Sequence, residues 1–190
     1  MGGGYFSNAG VFVLNTVFGL YIGAVLLRLL LQWTRADFHN PLSQAVVRLT
    51  NPALRPLRRY IPAIGRIDTA SVALMLALQW LNLWLISVIF AAGLGFFTLI
   101  VMSVAELLGK LIYLYMFSII IQAIASWVAT GAYNPVLRLL DHLTSPLLDP
   151  VRRLLPNLGG LDLSPLVVIM LLQLALMVIV TPLTDFSVTL

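Results

Sequence analysis

The chain has 190 residues, of which 61% are hydrophobic and only 9% charged, against roughly 25% charged in an ordinary soluble domain. So little polar surface excludes a soluble enzyme or a free binding module, and the lack of cysteine excludes disulfides, thiolate metal sites and cysteine nucleophiles. A net charge of +4 in such a chain points to loops beside anionic lipid, not to nucleic acid.

The charged residues cluster, and the intervals between them are the predicted spans. Residues 1–27, 69–105, 111–137 and 163–184 carry no Asp, Glu, Lys or Arg, and about 20 apolar residues suffice to cross ~30 Å of hydrocarbon. The start, MGGGYFSNAG, has no basic n-region and reads as a short tail, not a signal peptide. It leads into a first span at 9–33, followed by a basic loop at 34–68 and a second span at 69–92. Gly93 and Gly95 offer a break, after which FFTLIVMSVA is a helix extension or an interfacial or re-entrant piece. The third span is predicted at 107–129, with Glu106 and Lys110 paired at i,i+4 on the membrane surface where it opens. A second loop at 130–162 and a fourth span at 164–183 complete the order.

The chain repeats itself. Residues 50–68, TNPALRPLRRYIPAIGRID, and 144–162, TSPLLDPVRRLLPNLGGLD, align without a gap at an offset of 94. The register pairs Pro52 with Pro146, Arg58-Arg59 with Arg152-Arg153, Gly65 with Gly159 and Asp68 with Asp162. It runs back to Tyr21 and Tyr115 and forward to Gln79 and Gln173. Two units follow, 1–93 and 94–190, each span, basic loop, span. The expected fold is therefore an all-α membrane protein of four transmembrane helices, built as two parallel helix–basic loop–helix repeats. Orientation follows Lys and Arg, which puts both loops in the cytoplasm and both termini on the outer side of the membrane. A fifth span would place Arg152 and Arg153 on the wrong side.

Within each loop, Asn40-Pro41 and Asn134-Pro135 suit a cap and first turn. They open a short amphipathic helix expected at the headgroup boundary or packed on the other loop. Prolines at 52, 56 and 62 are expected to stop that helix and hold Arg58 and Arg59 in a rigid segment. Arg58, Arg59, Arg152 and Arg153 are candidate contacts for anionic lipid or a protein partner, because guanidinium groups bind phosphate bidentately. Their competing roles are to set topology or to pair with Asp68 and Asp162, which stand as helix N-caps before apolar runs.

Polar residues inside spans are costly and become candidates by default. They are Arg28, Gln32, Gln79, Asn82, Gln122 and Gln173. Arg28 is expected to snorkel to the headgroups, while Gln79 and Gln173 fall near mid-bilayer and suit interhelical hydrogen bonds. No carboxylate is expected at mid-span, which counts against ion-coupled transport. His39 and His142 lack metal-ligand spacing, and there is no nucleophile elbow, phosphate loop or dinucleotide fingerprint. No catalytic, cofactor or metal site is predicted, and no nucleic-acid partner.

The duplicated strings ADFHNPLSQ, TNPALRPLRRYIPAIGRID and SPLLDPVRRLLPNLGGLDLSP closely resemble the YggT/YlmG family, in its two-copy proteobacterial form. The resemblance implies a multi-pass inner-membrane protein with no established enzymatic activity. Relatives have been linked to cell division and envelope organisation, osmotic-stress tolerance, and plastid nucleoid distribution and cytochrome assembly. The two loops differ at Arg55 against Asp149 and at Arg66 against Gly160, so they are not electrostatically equivalent. The expected function is a non-enzymatic membrane scaffold or assembly factor whose loops engage anionic lipid or a partner protein. The alternative is a small channel or transporter in osmotic balance, which four spans could form only as a homo-oligomer.

Overall fold

A computed structural model describes residues 3–34, 36, 40–65, 67–128, 134–155 and 162–189. The helices are α1 (Gly3–Trp33), α2 (Pro41–Tyr60), α3 (Thr69–Ile89), α4 (Phe96–Val128), α5 (Pro135–Leu154), α6 (Ser164–Ala175) and α7 (Thr181–Val188). A π-helical turn, Leu176–Val180, joins α6 to α7. Among the described residues there is no strand beyond a single bridge between Ile64 and Ile67. Among the described residues, four helical runs are long and apolar enough to cross a membrane: α1, α3, α4 and the continuous Ser164–Val188.

The loop helices begin as their sequences dictate. The Asn40 side chain accepts the Leu42 amide at 3.0 Å and the Asn134 side chain accepts that of Val136 at 2.9 Å, with a proline in each first turn. They do not end where expected. Both run for 20 residues, through Pro52 and Pro56 in α2 and through Pro146 and Pro150 in α5. The prolines are four apart and all exposed. The carbonyls that lose their amide donors therefore share the outer face with them, and the inner face of each helix stays intact.

Of the readings open for FFTLIVMSVA, the helix extension is the one found. α3 stops at Ile89, a connector with positive φ at Ala91 and Gly93 turns the chain, and α4 starts at Phe96. FFTLIVMSVA is thus the first part of one 33-residue helix, since nothing between Phe96 and Val128 breaks it. In the last span the π turn precedes Pro182, whose ring would clash with the carbonyl of Val178 in a regular helix. The Thr181 hydroxyl donates to the Leu176 carbonyl at 3.2 Å, five residues back, in keeping with the wider turn.

α1 packs on α3 and α4, α3 on α4, and α4 on α6 and α7, with α2 laid against α1 and α3 and α5 against α4, α6 and α1. One buried cluster, Ile119, Leu148 and Val168, lies within the second unit, and the others are built at the junction of the two repeat units. Ile22, Val25, Leu26 and Met75 are buried with Leu107, Leu111 and Leu114 packed on them. Leu30 is buried with Tyr115 and Leu143, and Leu31 and Ala36 with Leu139.

Candidate functional site

Both repeats carry an arginine–aspartate clamp that ties the end of the loop helix to the start of the next span. Arg58 donates to Asp68 Oδ2 from Nε at 3.2 Å and from Nη2 at 2.5 Å. Arg152 donates from Nε to Asp162 Oδ2 at 2.9 Å and from Nη1 to Asp149 at 3.2 Å. Asp68 is the buried one, its side chain 3% exposed against 46% for Asp162. Burial alone would raise the Asp68 carboxyl. Hydrogen bonds from Arg58 and the Ser71 hydroxyl outweigh it and hold the group below its usual range. Asp162 is lowered in the same way, against its own desolvation, by Ser164 and Arg152.

The capping role is corrected in detail. Asp68 occupies the cap position of α3 but makes no side-chain cap hydrogen bond; its Oδ2 instead accepts from Arg58 and from the Ser71 hydroxyl. Asp162 stands one residue before the cap and accepts the Ser164 amide at 2.9 Å. Of the four candidate arginines, Arg58 and Arg152 are therefore engaged internally. Arg59 and Arg153 are exposed in the last turns of α2 and α5, and Arg48 and Arg55 are exposed on α2. Arg35, His39, Arg66 and Gly159–Gly160 lie outside the described residues.

A second tie repeats at the same offset. Arg28 does not snorkel: it is buried and donates to Thr50 Oγ1 at 2.7 Å and to the Val47 carbonyl at 3.4 Å. Its mate Gln122 donates to Asp141 at 2.9 Å and accepts the Thr144 hydroxyl. Thr50 and Thr144 open the two repeated strings, so the signal for this tie was present in the register. Gln32 is half-buried and makes no hydrogen bond among the described residues. The loop helices also meet: the Asn40 amide donates to the Pro135 carbonyl at 2.5 Å, setting the start of α2 against the start of α5.

Deeper in the spans, the two glutamines part company. Gln79 is 1% exposed, and neither amide atom has a hydrogen-bond partner among the described residues. Asn82, one turn on, donates to Asn15 Oδ1 of α1 at 2.9 Å. Gln173 is exposed. It lines a cleft of about 470 Å³ with Glu106, Lys110, Tyr113, Thr181 and Thr184. Glu106 accepts from Lys110 Nζ at 2.7 Å. Glu106 stands about 15 Å from the start of α4 at 1.5 Å per residue, in a 33-residue helix whose length of about 50 Å exceeds the ~30 Å of hydrocarbon. Measured back from Val128, a span of that thickness begins near Lys110 and Glu106, the place expected for a pair that opens the third span. Among the described residues no three His, Asp or Glu side chains gather as metal ligands would.

Comparison with known proteins places these features in a lineage. The family described as CCB3/YggT matches twice, over residues 7–89 and 101–183. The chain is 44% identical to the uncharacterized protein PA0392 of Pseudomonas aeruginosa, over 95% of this chain and 93% of that one. It is 40% identical to the uncharacterized protein YggT of Escherichia coli K12, over 87% and 86%. A protein of Vibrio alginolyticus is 42% identical over 88% and 91%. No solved structure matches.

Proposed function

From the premise that the chain belongs to the CCB3/YggT family, matched once by each repeat unit, we propose a non-enzymatic inner-membrane scaffold or assembly factor. Its two units run parallel, with both loops cytoplasmic and both termini periplasmic. α2 and α5 lie at the headgroup boundary as one platform. The observation that carries this reading is the Asn40–Pro135 hydrogen bond, which brings both amphipathic helices to one end of the molecule. There Arg48, Arg55, Arg59 and Arg153 point outward, while Arg58 and Arg152 hold the platform to the spans. Exposed arginines at such a boundary attract anionic headgroups by about 1 kcal/mol each. The cellular roles that suit such a platform are envelope organisation, division or osmotic-stress tolerance.

The test is retention of phosphatidylglycerol against phosphatidylcholine by the purified full chain. Replacing Arg48, Arg55, Arg59 and Arg153 together by Gln is expected to abolish the preference for phosphatidylglycerol and leave the thermal midpoint unchanged. An undiminished preference would overturn the lipid reading. A protein partner recovered in mild detergent with the native chain and lost with the variant would transfer the role to that partner.

A second reading, a small oligomeric channel or transporter, is favoured by one observation: the Glu106–Lys110 pair and Gln173 line a shared cleft between the third and fourth spans. Vesicles containing the chain would then show a proton- or cation-dependent solute flux that Glu106→Gln abolishes. Absence of flux under any imposed gradient would remove this reading.

A further inference from the structure

The junction between the two repeat units is head-to-tail, and it leaves one half of itself unpaired at each end of the chain. Leu30 of the first unit, 7% exposed, packs with Leu143 of the second, 1% exposed. Displaced by 94 residues, the same pair is Ile124 and Leu49, which are 59% and 56% exposed. The polar contact behaves alike. Asn40 is buried against Pro135, whereas their mates Asn134 and Pro41 are exposed. Leu111 and Leu114 pack on the first unit's cluster, and their mates Val17 and Leu20 are exposed. A two-fold relation between the units would have buried both members of each displaced pair within the chain. Their exposure makes the contact heterologous, with different surfaces on the two partners.

We propose that a second copy of this chain docks head-to-tail, with the first-unit face at Leu49, Pro41 and Val17 seated on the second-unit face at Ile124 and Asn134. The occupant is identified by the interface itself. The second-unit face opens a cavity of about 790 Å³ lined in part by Ile120, Ile124 and Ile169. The equivalent positions of the first unit include Leu26, Leu30 and Met75, which are filled and buried at the junction. The proposal does not depend on what the basic loops engage. Repetition of such a contact closes into a ring if the rotation per copy allows, and otherwise extends.

The chain has no native cysteine, so two single variants at exposed positions, Leu49→Cys and Ile124→Cys, test the geometry in the full-length protein. Oxidised together in lipid, the two singles are expected to give a product of twice the monomer mass, while each alone stays monomeric under denaturing conditions. The double variant Leu49→Cys/Ile124→Cys is expected to give higher multiples. Self-linking of either single as readily as of the mixture would show a two-fold contact and overturn the proposal, as would no product from the mixture. Independently, the native chain in mild detergent is expected at an integer multiple of 20.9 kDa, reduced by Leu49→Glu. A single-copy mass for the native chain would overturn the proposal as well.

Discussion

Arg58 grips Asp68 through two hydrogen bonds at the corner where α2 meets α3, and Asp68 also accepts the Ser71 hydroxyl at 2.6 Å. Because these contacts hold the Asp68 carboxyl below its unfolded value, they favour the folded state above the ordinary carboxylate range. The contribution disappears as pH falls through the lowered folded value. Acid is therefore expected to lower the thermal midpoint of the solubilised protein between about pH 5 and pH 2. Asp68→Asn removes much of that acid limb and costs about 1–3 kcal/mol at neutral pH. That is less than a fully buried pair would cost, because the Arg58 side chain is 37% exposed. Asp162→Asn, at a half-exposed site, is expected to cost under about 1 kcal/mol. Equal effects of the two substitutions would contradict the burial difference.

Arg28 and Gln122 perform one task with two side chains, each tying its span to a threonine of its loop helix. Arg28→Gln is therefore expected to be tolerated, losing less than about 1 kcal/mol, whereas Arg28→Leu loses about 1–3 kcal/mol with its charged hydrogen bond. Thermal unfolding in detergent distinguishes the two. A headgroup-seeking Arg28 would give the opposite pattern, with Arg28→Lys the mildest change and Arg28→Gln as costly as Arg28→Leu.

Periodicity, charge gaps and repetition were enough to read four spans and a duplicated unit, because hydrocarbon thickness fixes span length and an ungapped repeat survives any misplaced boundary. The loop ends were misread because proline carries a strong local penalty. Four-residue spacing confines that penalty to one outer face, which is visible only once the inner face is known. The arginine roles were likewise ambiguous. Arg58 and Arg59 are adjacent in sequence, and only the path of the chain turns Arg58 onto Asp68 and leaves Arg59 outside. The charges at Glu106 and Lys110 do not end the helix, which runs on to Phe96 and the turn with positive φ at Ala91 and Gly93.

Gln79 supplies a test of what the spans are for. Its buried amide has no hydrogen-bond partner among the described residues, so a structural protein would be expected to gain from Gln79→Met, by about 1–3 kcal/mol. Asn82→Leu, which removes the hydrogen bond to Asn15, should instead cost about 0.5–1.5 kcal/mol. Unfolding midpoints measured in the same lipid-detergent mixture would show the two shifts with opposite sign. A loss of stability on Gln79→Met would assign that amide a bound partner at mid-span.

The depth of the Glu106–Lys110 pair is itself measurable. On a water-facing helix surface an i,i+4 pair is worth about 0.3–0.5 kcal/mol, and removing either member is nearly neutral. In hydrocarbon, removing one member strands the other charge away from water, and the cost rises to several kcal/mol. On the channel reading, which needs the pair within the span, Glu106→Gln and Lys110→Met are each expected to lower stability and yield sharply. The double variant Glu106→Gln/Lys110→Met should recover most of the loss, because no charge is left uncompensated. A cycle of unfolding measurements on the four proteins gives the coupling directly. A coupling under about 0.5 kcal/mol would leave the pair at the membrane surface, whereas one of several kcal/mol would fix Glu106 and Lys110 within the span and make their cleft the part of the molecule to probe for protons and solutes.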